Sequence, residues 1–495
     1  MSNSSNLLWP APEGKIAIVC CNPNNLHTIK YDKENCPAVY TPLDLKVESS
    51  LNVYDSHYIE QAVLCGFNVL MYPGSDLDVK WIDYTQRALN DCLRLGVKLI
   101  SNSPILNYTD SPLNYNPTYK SGWPTSFVQQ FKNHPALGGW MVKDEPKYED
   151  WHGVNDSSNT EGSGISQTTG NNFSGSSLSS KRKTLISDYQ AIKNTDTRHI
   201  AYMNLAVGED QLYIGEEHHK YEDFLDEFIA KFDPPLLTFD FYPIKSDEAG
   251  GYRVDRDLFY KYLNIFANKS QQYGIPFWSY CLCLEHTVKE TVKETIYPVI
   301  TEGMLRFEAF SALAFGAQGI VFWGYKQDYK AFGKDQNGNP INDENGEKTK
   351  RLVITDGLAP VDLYGNLPRK SQNDPVIWDM VQNITAEIAD KNDYFYKCKM
   401  TSHNECSGNN QDLNMNGEAG LDKIRISGRG FLMTRIETPD QEKTYSNGKP
   451  VINKHIVIVN TDPFNSQELQ WLKVQDSNST IDKDTCTKRP RKREL

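Results

Sequence analysis

The chain has 495 residues, 52 Lys+Arg against 64 Asp+Glu for a net charge of −12, and 39% apolar residues. That length accommodates about three ordinary domains or one α/β barrel with an appendage. No stretch approaches the roughly 18 consecutive apolar residues of a membrane span, and the acidic balance argues against a phosphate-binding surface and hence against nucleic acid as a partner.

Eight short apolar, β-branched or aromatic runs recur along the chain, each ending in a polar or Pro/Gly/Asn-rich segment. In order they are Lys15 to Cys21, Phe67 to Tyr72, Val97 to Ser101, Leu137 to Val142, His199 to Leu205, Leu236 to Tyr242, Pro276 to Cys283 and Gly319 to Trp323. Helical patterns separate them at Asp55 to Leu64, Trp81 to Leu95, Thr125 to Asn133, Lys181 to Lys193, Tyr221 to Phe232, Asp257 to Tyr273 and Gly303 to Phe315. Strands apolar on both faces and alternating with helices predict a (β/α)8 TIM barrel over residues 1–395, closed by a helix from Pro375 to Ala389. Two polar insertions are expected over its C-terminal rim, near 152–180 and 330–351. Beyond residue 395, runs at Gly428 to Ile436 and Lys454 to Asn460 predict a small C-terminal all-β domain, sandwich-like, over 396–475. Residues 476–495 read as a basic disordered tail. The oligomeric state is not legible.

Ten cysteines without zinc spacing give no metal site and no disulfide scaffold. Walker, GxGxxG, HExxH and GxSxG motifs are all absent, so no cofactor is implied. The informative segment is Asn133 to Pro146, NHPALGGWMVKDEP, in which Asp144 and Glu145 emerge at the C-terminal end of the fourth strand. Barrel enzymes place their reacting groups at that end of the strands. Glu145 is the expected general acid, with Asp144 as an orienting or substrate-binding neighbour. Glycoside hydrolysis requires a facing carboxylate, for which Glu285 after the seventh strand is the first choice and Asp240 at the end of the sixth the second. Aromatic residues Trp140, Tyr242, Trp278, Tyr280, Trp323 and Tyr325 are expected at the same rim as stacking surfaces for sugar rings. Asn204, Asp240 and His286 are expected hydroxyl partners, and Lys143 is the one lysine adjoining the acids of the fourth strand.

The segments NHPALGGWMVKDEP, LLTFDFYPI, GIPFWSYCLCLEH and EAFSALAFGAQGIVFWGY together resemble clan A-type (β/α)8 glycoside hydrolases, similar to the glycoside hydrolase 42/5-like barrels of gut Bacteroidetes, over roughly residues 15–395. The resemblance implies an acid/base Glu at the end of strand four, matched by Glu145, and a nucleophilic Glu at the end of strand seven, at Glu285. Asp144 stands where that family has Asn. The expectation is therefore a retaining hydrolase of a β-linked oligo- or polysaccharide, in the periplasm, on the cell surface or secreted, with no signal peptide in this chain. The rival from another class is a non-catalytic carbohydrate-binding protein on a degenerate barrel; a barrel lyase, which needs a reactive lysine or a metal, is the third reading.

Overall fold

The computed structural model describes residues 7–21, 40–42, 56–72, 80–102, 123–146, 180–207, 220–246, 251–284, 286–289, 294–298, 300–324, 328–332, 349–355, 377–406, 411–414, 423–427, 430–463 and 470–472. The expected tail, most of the first insertion, Glu285 and Tyr325 lie outside these residues.

All eight expected strands form and close on themselves. In chain order the strands are β1 (Ala17–Cys21), β2 (Tyr40–Pro42), β3 (Val69–Tyr72), β4 (Lys98–Asn102), β5 (Leu137–Asp144), β6 (Ile200–Ala206), β7 (Leu237–Asp240), β8 (Ile244–Ser246), β9 (Tyr252–Val254), β10 (Phe277–Leu282), β11 (His286–Lys289), β12 (Glu294–Tyr297) and β13 (Gly319–Trp323). The closed barrel runs β1-β13-β10-β7-β6-β5-β4-β3, every pair parallel. The intervening helices are α1 (Ser56–Leu64), α2 (Lys80–Leu95), α3 (Trp123–Phe131), α4 (Ser180–Thr195), α5 (Tyr221–Phe232), α6 (Arg256–Tyr273) and α7 (Glu302–Ala314), followed by α8 (Ile377–Asp390) and α9 (Asn392–Phe395). The fold is a (β/α)8 barrel.

Two apolar layers hold it together. Inside, Val19, Val69, Met71, Met141, Tyr202, Trp278 and Val321 fill the barrel; outside, Ile18, Leu70, Trp140, Val142, Phe239 and Phe322 pack under the helices. Trp278 forms the floor, with Trp9 edge-on beneath it at 5.6 Å. Gly319 on the paired strand makes this possible, since a Cβ there would lie 2.5 Å from the indole.

One irregularity matters for the site. The register between β5 and β6 runs Met141↔Tyr202, then Lys143↔Met203 and Asp144↔Asn204, a bulge that absorbs one residue. Tyr202 and Asn204 share a face because side chains alternate along a strand. The bulge therefore puts Asp144, not Lys143, on the face of Met141.

The region expected as a second polar insertion is bounded by paired strands: β14 (Asp328–Phe332) and β15 (Thr349–Thr355) are antiparallel, and β2 joins them. The short runs DYKAF and TKRLVIT are the sequence signal for these strands. Beyond the barrel, β16 (Lys399–Cys406), β19 (Phe431–Thr444) and β20 (Pro450–Asn460) form one antiparallel sheet, and β17 (Gln411–Asn414), β18 (Lys423–Ser427) and β21 (Gln470–Leu472) a second. The first is tied to α6 by Gln271 Nε2 donating to the Met400 carbonyl at 2.8 Å.

Candidate active site

Asp144 ends β5, and Glu145 follows it into the turn. The Glu145 N–H donates to the Asn204 carbonyl at 2.9 Å, prolonging the ladder by one bond. Its φ is then 43°, in the left-handed region that side chains other than glycine's rarely adopt, at a cost of order 1–3 kcal/mol. Buried Pro146 fixes the turn behind it. Both acids are exposed at the C-terminal mouth of the barrel.

The neighbouring strands set the position of Asp144. The Thr238 hydroxyl donates to Asn204 Oδ1 at 3.1 Å, and Asn204 Nδ2 donates to Asp144 Oδ1 at 3.0 Å. Asn204, expected as a sugar ligand, is almost fully buried and instead links β7 to β5 through β6.

Asp240 closes the arrangement. It ends β7, part of the residue opens to the mouth, and its Oδ1 is enclosed with no hydrogen-bond partner. Burial holds its carboxyl well above the usual carboxylate range; the charges of Glu145 and Asp144, and a hydrogen bond to the Glu145 side chain, act in the same direction. Asp240 thus keeps a proton that Glu145 can share. A carboxyl pair in direct hydrogen-bond contact is tighter than the about 5 to 5.5 Å separation that flanks a bond in retaining hydrolysis. Any carboxylate attacking from the opposite side is therefore a further group.

Below the acids, the hydroxyls of Tyr202 and Tyr280 both donate to Met71 Sδ, at 3.3 and 3.7 Å. Cys21, on the inner face of β1, has its thiol pushed up by burial and by Asp144 and Asp240. Beside the acids stands an aromatic wall of half-buried rings. Tyr242 stacks on Trp323 at 5.8 Å and 22°, and Tyr297 meets Tyr242 edge-on at 5.8 Å. Burial and then Asp240 push the Tyr242 phenol well up.

Three expected stacking residues are placed elsewhere. Trp140 is 0% exposed and faces the helices, where its indole N–H donates to Asp196 at 2.9 Å and its ring meets Phe127. Trp278 is the barrel floor, equally enclosed. Tyr280 is 3% exposed and lies beneath the site. None of the three presents a ring to the mouth. Of the remainder, Tyr242 and Trp323 stand together at the mouth, His286 begins β11 with its side chain outside the described residues, and Glu285 and Tyr325 lie wholly outside them. Sequence reasoning missed Cys21, Tyr202, Thr238 and Tyr297. Tyr297 comes from the hairpin of β11 and β12, whose alternating His-Thr-Val-Lys and Glu-Thr-Ile-Tyr runs were the available signal. Among the described residues, no group of three or more His, Cys, Asp or Glu side chains is arranged to hold a metal.

No protein-family model matches the sequence, and no curated protein matches it. Among solved structures, the chain is similar to a GH5 xyloglucan-specific endo-β-1,4-glucanase from a metagenomic library, at 13% identity and a TM-score of 0.40, over 75% of this chain and 97% of that one. It is similar to xylanase 10B from Thermotoga maritima, at 11% identity and a TM-score of 0.37, over 68% and 92%. A β-glucosidase from the same organism matches at 11% identity and a TM-score of 0.35, over 78% and 99%. The assignment of this chain to the (β/α)8 fold rests on its own closed parallel barrel.

Proposed function

We propose that the barrel mouth hydrolyses a glycosidic bond in a β-linked oligo- or polysaccharide. The observation that carries the reading is the hydrogen-bonded Glu145 and Asp240 pair standing beside the wall of Tyr242, Trp323 and Tyr297. Exposed Glu145 delivers the proton to the leaving oxygen, and enclosed Asp240 is the partner from which it is replenished. Flat C–H faces of a sugar ring suit the aromatic wall, while hydroxyls suit Asp144. In a retaining course Glu285, beyond the end of β10, is the attacking carboxylate and Glu145 then activates water. A substrate of this class lies outside the cytosol, so the proposed location is periplasmic, cell-surface or secreted.

The test is reducing-sugar release from β-glucans, galactans and mannans by wild type, Glu145→Gln, Glu285→Gln and Asp240→Asn. Loss of activity by orders of magnitude in both glutamine variants supports retention through Glu285. Activity that survives Glu285→Gln removes Glu285 from the attacking role and overturns retention through it. A wild type that retards on polysaccharide gels and cuts none of them is a binding protein, and the hydrolase reading falls.

A further inference from the structure

Glu308 lies on α7, a helix begun by the Thr301 hydroxyl accepting from the Met304 N–H at 3.4 Å. It is 2% exposed, and its Oε2 accepts the N–H of Leu282, the last residue of β10, at 3.0 Å. The strand register explains why that N–H needs an acceptor from a helix. β10 pairs with β7 only as far as Ser279↔Phe239, because β7 stops at Asp240, but with β13 as far as Leu282↔Trp323. The next donor, the Cys283 N–H, goes to the Trp323 carbonyl at 2.7 Å. Successive residues of a parallel strand bond to opposite neighbours, so the Leu282 N–H points to the side that β7 has left. A buried N–H without an acceptor is costly, and Glu308 supplies one.

The seam thus held is the one that the site lines. Asp240 keeps its unpartnered Oδ1 there, and Tyr242, which follows it, stacks on Trp323. The two strand ends are also locked to each other: Gly324 has φ +95°, and a Cβ on it would meet Leu284 Cβ at 2.4 Å. Burial pushes the Glu308 carboxyl up to about 8, and the titratable groups facing it are the Cys281 and Cys283 thiols of β10, themselves pushed up by burial. Burial thus favours its neutral form, and Oε2 is the atom that accepts the Leu282 N–H.

We propose that Glu308 is a positioning residue: by accepting the Leu282 N–H in place of strand β7, it fixes the end of β10, with Cys283 and Leu284, and the aromatic wall relative to the Glu145 and Asp240 pair. Its effect on turnover rests on the hydrolase reading above; its effect on the seam does not. Three variants separate the possibilities. Glu308→Gln keeps a neutral acceptor, Glu308→Asp keeps the acid but shortens its reach, and Glu308→Ala removes both; the first two remain informative if the third does not fold.

Amide exchange of the whole chain, read over residues 277–284 with 198–206 as an internal control, is expected to quicken about tenfold in the Asp and Ala variants, as loss of one buried hydrogen bond implies. It should return to the wild-type rate in Glu308→Gln, with the control segment unchanged throughout. On the saccharide that wild type cuts best, the Asp variant should raise KM several-fold with kcat little changed, and the Gln variant should restore it. Unchanged exchange in Glu308→Asp, acceleration spread equally over the control, no restoration by Gln, or an unmoved KM each overturns the proposal. A wild type that cuts no saccharide sinks the hydrolase reading alone, and the exchange comparison then decides the role of Glu308.

Discussion

Asp196 lies in the turn before β6, at the N-terminal end of the barrel, and Asp240 lies at the C-terminal end of β7. Both have a carboxyl oxygen away from water, yet their proton affinities diverge. Burial raises Asp196, but the His199 ring nitrogen at 2.8 Å, the Trp140 indole at 2.9 Å, the His199 charge and the Arg198 N–H outweigh it and bring the carboxyl down to about 2. Asp240 has burial without those donors, and two more carboxylates beside it. The supply of hydrogen-bond donors, not depth, separates a carboxylate held low from one held high. At one end of the barrel a buried acid is satisfied, and at the other one is left with an oxygen that nothing meets.

Substitutions at the two ends should therefore fail in opposite ways. The largest effect is expected from Glu145→Gln, which should lower kcat by about a hundredfold to ten-thousandfold, the range for a lost general acid, while urea unfolding stays within about 0.5 kcal/mol of wild type. A large stability loss there would erase the contrast. Asp196→Ala should do the reverse, costing about 3 kcal/mol by stranding buried donors and leaving kcat intact below the melting range. Its pH dependence has a defined sign. With the folded pKa depressed to about 2, the stabilisation is fully present above the unfolded value of about 3.9 and is lost as pH falls from there through 2, a swing of roughly 2 kcal/mol. Urea midpoints between pH 5 and 2 should show that slope in wild type and not in Asp196→Asn.

The smallest effect sharpens the comparison most. Asp240 has a raised folded pKa, so the folded state holds a proton that the unfolded state releases, and stability declines as pH climbs above about 4 until the folded pKa is passed. Asp240→Asn removes that penalty and should gain about 1 kcal/mol at pH 7, at the expense of turnover. A loss of stability in this variant at pH 7 would show that the acid is held by contacts that reward its proton more than an amide.

The barrel was legible because parallel strands buried on both faces read as near-continuous apolar runs, and all eight expected strands formed. The same property hid which way each side chain points. In LGGWMV or PFWSYC both faces are apolar, so alternation says nothing about inside and outside, and Trp140, Trp278 and Tyr280 were all expected at the rim for want of that information. The acids Asp144 and Glu145 were legible from their place after a strand. The contact of Glu145 with Asp240 was not, since only closure of the barrel brings β5 and β7 to either side of β6. Glu308 was hidden for another reason: a lone Glu among FEAFSALAF gives no hint that a neighbouring strand will stop short of it.

The bulge in β5 decides which side chain of Met-Val-Lys-Asp faces the barrel mouth. Were the strand to pair without it, Val142 would stand opposite Met203, Lys143 would pair with Asn204, and an amine would occupy the place that a carboxylate now holds. A primary amine in a barrel mouth invites carbonyl substrates and Schiff-base chemistry, whereas carboxyl groups invite proton transfer to an ether-like oxygen. One residue of slack in one strand thus decides which of the two groups faces the mouth, and here it is the carboxylate.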